Sequence, residues 1–218
     1  MRRTSGLYSS AEAWFQLNQT ADSLLRLSTV REIIGSDAKD GSYNPAMLSN
    51  NLTAQFIEFS RCKLLDEYWP RLRACVESLT DEQVWWRPNE ASNSIGNLML
   101  HLNGNVTQWL LAPFDHREDK RNRPAEFSER QSIAKTQLLQ TLAATLHEVA
   151  GVLPRITESD LLETYQIQGY TVTGLHAVYQ VIEHFGLHYG QITYITKMLR
   201  GQDLGFYREL QATGRLNA

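Results

Sequence analysis

The segment from Thr173 to Leu199 constrains this chain most: a helical stripe runs through Val181, Ile192 and Ile195, and Gly201 follows as a residue suited to close a helix. A mostly apolar stripe points inward, so such a helix needs partners to cover it. The same face carries His184 and His188, four residues apart. Four residues advance an ideal helix by about 400°, which places the two imidazoles together with Cβ atoms roughly 5–6 Å apart. Two unpaired imidazoles on a buried face are costly unless they are hydrogen-bonded or coordinated. Their spacing suits two nitrogens at about 2.0–2.1 Å from one Zn²⁺.

Three earlier segments can supply the cover. Apolar residues recur at helical spacing from Leu52 to Leu79, through Phe56, Phe59, Leu64, Leu65, Leu72 and Val76, with a kink or break at Pro70. Thr80 and Gln83 form a capping-box pattern for a short turn ending at Pro88. Ser94 is placed to cap a second helix that runs to Ala112 and stops before Pro113. DHREDKRNRP reads as a solvated loop, its basic residues interleaved with acidic ones and so assigned to the surface. Ser128 with Gln131 predicts the start of a third helix ending near Pro154. Between it and the last helix, TYQIQGYTV has the alternation of a short strand pair or an extended loop, with Gly169 as a candidate turn, and should lie over one end of the bundle. The expected fold is therefore all-α, a four-helix bundle with a short extended or β segment before the last helix.

The bundle begins at about Met47 and occupies residues 47–218. Residues 1–46 read as an N-terminal extension and linker, in which an amphipathic stretch with Trp14, Leu17, Ala21, Leu24 and Leu25 gives way to the turn-rich SDAKDGSYNP. The formal net charge of −3 gives no broad basic surface, so neither nucleic acid nor a membrane is expected as a partner. No apolar run approaches the roughly 18 residues of a membrane span, and no secretory apolar core follows Arg2 and Arg3, so a cytoplasmic protein is expected. Cys62 and Cys75 fall on one predicted helix about 20 Å apart, beyond the reach of a disulfide, and read as small apolar residues.

His101 is the third candidate ligand, set among Leu98, Leu102 and Asn105 on the strongly apolar second helix. The other histidines fit less well. His176 precedes His184 by a rise of about 12 Å, His116 lies in the charged loop, and His147 has no neighbour at ligand spacing. Neither HExxH nor GxSxG occurs, so zincin and α/β-hydrolase chemistries have no support.

SIGNLMLHLNGNVTQWL followed at a distance by HAVYQVIEHFGLHYGQI resembles the DinB/YfiT-like superfamily of metal-dependent bacterial proteins, over about residues 47–200. The resemblance implies that His101, His184 and His188 bind a divalent metal at the centre of a four-helix bundle, leaving water in open positions. It also implies an unusual helix connectivity. Some relatives of that superfamily are S-transferases for low-molecular-weight thiols such as bacillithiol or mycothiol, and one branch is a mycothiol-dependent maleylpyruvate isomerase.

Two functions follow as expectations. In the first, three neutral histidines hold a divalent ion that activates a thiol or water, and Gln191, one turn beyond His188, is the candidate catalytic residue. Asn97 and Asn105, one turn either side of His101, could line the same cavity, although packing or capping contacts are their favoured roles. In the second, the bundle binds without turnover, and a carboxylate such as Glu58 or Asp66 completes a closed metal shell. Three imidazoles suit Zn, Ni, Cu and Fe alike. The expected partners are a small-molecule substrate, with a low-molecular-weight thiol as candidate, and a second copy of the chain in a homodimer.

Overall fold

The computed structural model describes residues 51–130 and 133–208 of the chain. The expectations for residues 1–46, for Met47 and for Gln131 lie outside the described residues. Four long helical segments dominate. The first, α1, is continuous through Leu52–Arg61, a π-helical stretch Cys62–Tyr68 and Trp69–Glu77. A short α2, Asp81–Trp85, leads to α3, which runs through Ile95–Val106, a π-helical stretch Thr107–Leu111 and Ala112–Phe114. Then come a short α4, Arg123–Ser128, the long α5, Lys135–Val152, with a 3₁₀ turn Leu153–Arg155, and a short α6, Glu158–Leu162. Strands β1, Thr164–Ile167, and β2, Tyr170–Thr173, form an antiparallel hairpin ahead of α7, Gly174–Arg200.

Both prolines lie within continuous helical segments, against the expected stop at Pro113 and the break that is one of two alternatives at Pro70. Pro70 does not break α1, and Pro113 does not stop α3. Proline cannot donate to the preceding turn, and its ring crowds the carbonyl four residues back. In both helices a wider π turn lies directly upstream: Trp69 N–H bonds to Leu64 O, and Ala112 N–H bonds to Thr107 O, each five residues back. That widening makes the room. It also inserts a residue, which rotates the buried face by about 100°. Hence Ile57 and Ser60 are buried upstream of the π stretch in α1 while Phe59, expected in the core, is 48% exposed; downstream Leu72 and Val76 are buried as expected.

The long helices form a ring in which α7 packs on α1 and α3, and α5 packs on the same two. Consecutive long helices α1 and α3 therefore stand on a diagonal, and the intervening capped segments carry the chain across. Thr80 and Gln83 make a reciprocal capping box on α2, and Ser94 makes one with Asn97 at the start of α3. Gly96 lets α2 seat over that end: a Cβ there would lie 2.8 Å from the indole of Trp85, whose Nε1 donates to Ile133 O at 2.9 Å.

The hairpin pairs Ile167 with Tyr170 across Gln168 and Gly169, both at positive φ (53° and 82°), a two-residue turn matched to strand twist. Ile167 and Val172 point into the core, as the alternation requires. Thr173 caps α7, and Gly201, in the left-handed conformation, closes it. Cys62 and Cys75 are free, half-buried and buried respectively. Among the described residues no helix is long and apolar enough to cross a membrane.

Candidate metal centre

Packing of α3 against α7 brings His101 to the pair on α7. Nε2 of His184 lies 3.1 Å from Nε2 of His101 and 3.2 Å from Nε2 of His188. The ring centroids of His184 and His188 are 4.5 Å apart, as one turn of helix dictates. A tetrahedral ion with nitrogens at about 2.0–2.1 Å separates its ligand atoms by about 3.3–3.4 Å, so the observed spacing is within a few tenths of an ångström of a coordination shell. His101 is 5% exposed, whereas His184 and His188 are half-buried, so the cluster stands at the edge of the core and not sealed within it.

The outer nitrogens decide which way the lone pairs face. Nδ1 of His101 lies 2.8 Å from Oε2 of Glu126, and Nδ1 of His188 lies 2.8 Å from Oε1 of Gln191. Both partners are acceptors, so both Nδ1 atoms carry a proton, and in the neutral form of each ring the Nε2 lone pair turns inward. Arg121 Nη2 also approaches His101 Nδ1 at 3.0 Å, but its hydrogens are taken by Glu126 Oε2 at 2.9 Å and by the His101 carbonyl. His184 can offer at most one hydrogen from Nε2 to the two lone pairs facing it, and its own Nδ1 is buried without a partner among the described residues. Hydrogen bonding alone thus leaves the trio underprovided, while one cation accepts all three lone pairs. Burial, followed by the neighbouring His188 and His101, pushes the His184 pKa down to about 3, and burial also lowers that of His188. Both rings are neutral at physiological pH, the form in which imidazole binds metal.

These three residues form a group that could hold a metal ion. The carboxylates suggested as a fourth ligand are engaged elsewhere: Glu58 and Asp66 both pair with Arg61, at 2.8 and 3.0 Å. Gln191 is exposed, and its oxygen is bound at the side of His188 turned away from the cluster. Asn97 is a structural residue: its oxygen accepts from the backbone and hydroxyl of Ser94, and its amide donates to the carbonyls of Glu126 and Glu129. Asn105 is buried, and among the described residues its Oδ1 has no partner.

Sequence reasoning missed Arg121, Glu126 and Phe127. The end of DHREDKRNRP is not a solvated loop: Asn122 caps α4 with Pro124 in its first turn, and the Arg121 side chain is only 4% exposed. The predicted cap at Ser128 is a correction too, since Ser128 ends α4 and the third long helix starts at Lys135. Phe127 places its ring 4.8 Å from that of His101. An alternating-charge string gives no periodic signal for a single buried arginine, so only the aromatic at Phe127 hinted at burial.

Residues 51–208 match the family described as "Protein of unknown function (DUF1572)". The chain belongs to this family. Among solved structures, the DUF1572 chain is similar to one described as the "conserved protein of locus from Enterococcus faecalis", with a TM-score of 0.54 and 19% identity over 70% of this chain and 99% of that one. This likeness speaks to the fold. No curated protein matches the chain.

Proposed function

We propose that this DUF1572 protein binds a divalent metal ion through His101, His184 and His188 and is a metal-dependent enzyme of the thiol S-transferase type. The observation that carries the reading is the meeting of three imidazole nitrogens at His184 Nε2, with no carboxylate or thiol in the group among the described residues. Three ligands with an open position are the pattern of catalytic rather than structural zinc sites. The resemblance of the two histidine segments to the DinB/YfiT-like superfamily supports the same donor set and supplies the thiol as candidate substrate. When bound, the ion would supply Lewis acidity that lowers the pKa of a thiol or water toward neutrality.

The chain's own residues prepare the site for that chemistry. Glu126 and Gln191 hold the hydrogens of His101 and His188 on the outer nitrogens, so no proton need leave Nε2 before it can act as a ligand. Neutral imidazoles leave a cation's charge uncancelled, which favours an anionic ligand such as a thiolate. Phe127, its ring tilted by 42° at 4.8 Å from that of His101, sets an apolar wall beside the site. Elemental analysis of the purified full chain, joined to a screen of several low-molecular-weight thiols against electrophiles, tests the reading. About one ion per chain and thiol-dependent consumption of an electrophile are expected. A chain that retains no ion sinks the metal; metal with neither thiol- nor water-dependent turnover leaves a metal-stabilised binding bundle.

A further inference from the structure

Behind His101 the structure holds a charged assembly that neither the apolar core nor the three ligands require. Glu126 on α4 accepts from His101 Nδ1 at 2.8 Å and is gripped by Arg121 through both oxygens, at 2.6 and 2.9 Å. Arg121 donates further to Gln108 Oε1 at 2.8 Å, and Gln108 donates to Asp119 Oδ2 at 2.7 Å. The side chains of Arg121 and Glu126 are 4% and 9% exposed. A buried ion pair is weak evidence for stability, because desolvation offsets the attraction and apolar replacement often does as well. Its presence calls for another explanation.

Two features show that the backbone is arranged around this pair. At Gly104, one turn below His101, a Cβ would lie 2.1 Å from Oε1 of Glu126 and 2.8 Å from Nε of Arg121, so the pair lies directly against the helix and would have to shift for any larger residue. Asn97, one turn above, donates to the carbonyls of Glu126 and Glu129 at 2.9 and 3.1 Å and fixes the end of α4 that carries the carboxylate. Gly104 and Asn97 thus bracket His101 on α3, and both serve the placement of Glu126.

We infer that Glu126 is a positioning residue for the metal centre, holding His101 as its Nδ1–H tautomer and strengthening Nε2 as a donor, with Arg121 keeping the carboxylate in place. The inference rests on the proposed metal binding. A carboxylate on the outer nitrogen fixes ring orientation and raises ligand basicity, and loss of such a partner lowers metal affinity by about 10- to 100-fold. Arg121 serves through geometry: its planar fork matches both carboxylate oxygens, so Glu126 cannot rotate away from the ring.

The test compares the full chain with Glu126→Leu, which removes the acceptor at Nδ1, and with the double variant Arg121→Met/Glu126→Leu, which leaves no unpaired buried charge if the single variant fails to fold. Co²⁺ affinity is measured by competition with a chelator, and the His101 tautomer is read in the metal-free protein from long-range ¹H–¹⁵N spectra. Expected are stoichiometric Co²⁺ in the parent, an affinity about 10- to 100-fold weaker in a folded variant, and loss of the fixed Nδ1–H signature of His101. A folded variant that keeps parental Co²⁺ affinity or an unchanged His101 tautomer overturns the positioning role while the metal site stands. A parent that binds no Co²⁺ overturns the metal reading, and the inference with it.

Discussion

Nε2 of His101 lies 3.1 Å from Nε2 of His184 although 83 residues separate them, and the contact exists because α3 and α7 are neighbours in the ring of helices. The third nitrogen comes from the helical turn that joins His184 to His188. The site therefore depends on one tertiary contact and one local repeat, which fail in different ways when disturbed.

The Gln191 oxygen lies at the outer nitrogen of His188, so its loss should loosen the site without dismantling it. Gln191→Ala is expected to keep stoichiometric metal with affinity weaker by about tenfold, whereas His188→Ala removes a ligand outright. Equilibrium dialysis of the two variants separates the cases, and equal losses in both would contradict the assignment.

Gly96 meets the face of Trp85, so Gly96→Ala forces the indole or α2 to move. Overpacking of this kind costs about 1–3 kcal/mol, read as a lower midpoint in urea at unchanged slope. An unchanged or higher midpoint would show that the close approach is not a constraint.

The Cys62 thiol is pushed up to about 11, by burial first and then by its hydrogen bond to the Glu58 carboxylate, against the opposing pull of Arg61. A raised thiol pKa means the neutral form prevails at pH 8, and only the thiolate is alkylated. Cys62 should therefore react with iodoacetamide at pH 8 well below the rate of a free cysteine, with reaction gaining only as pH nears 11. Peptide mass spectrometry at timed intervals checks this, and alkylation at the free-cysteine rate would contradict it.

Much of the fold was legible because local signals are strong where periodicity and caps agree. Thr80, Ser94, Thr173 and Gly201 stand where the sequence puts helix ends, and TYQIQGYTV forms the expected hairpin. The two prolines misled because a π turn that absorbs a proline leaves no pattern in residue types. The histidine trio was legible in part: spacing paired His184 with His188 and an apolar helix marked His101 as the third candidate, but the packing of α3 on α7 that brings it to the pair has no local signal. Arg121 and Glu126 were hidden because charge strings read as solvent-facing, and nothing local marks one cation among several as buried beside Gly104.

The sequence reads residues 1–46 as an extension and linker, and the family match covers residues 51–208. A chain starting at Met47 is expected to remain soluble and keep the metal affinity of the full chain. Insolubility or loss of metal on truncation would make the extension part of the folded unit.

The most direct test is a metal titration of the full chain beside His101→Ala, His184→Ala and His188→Ala, with circular dichroism to establish that each variant remains folded. The parent should bind about one divalent ion per chain, and each folded variant, left with two imidazoles, should lose tight binding. Stoichiometric, tight metal in all three folded variants would contradict the site.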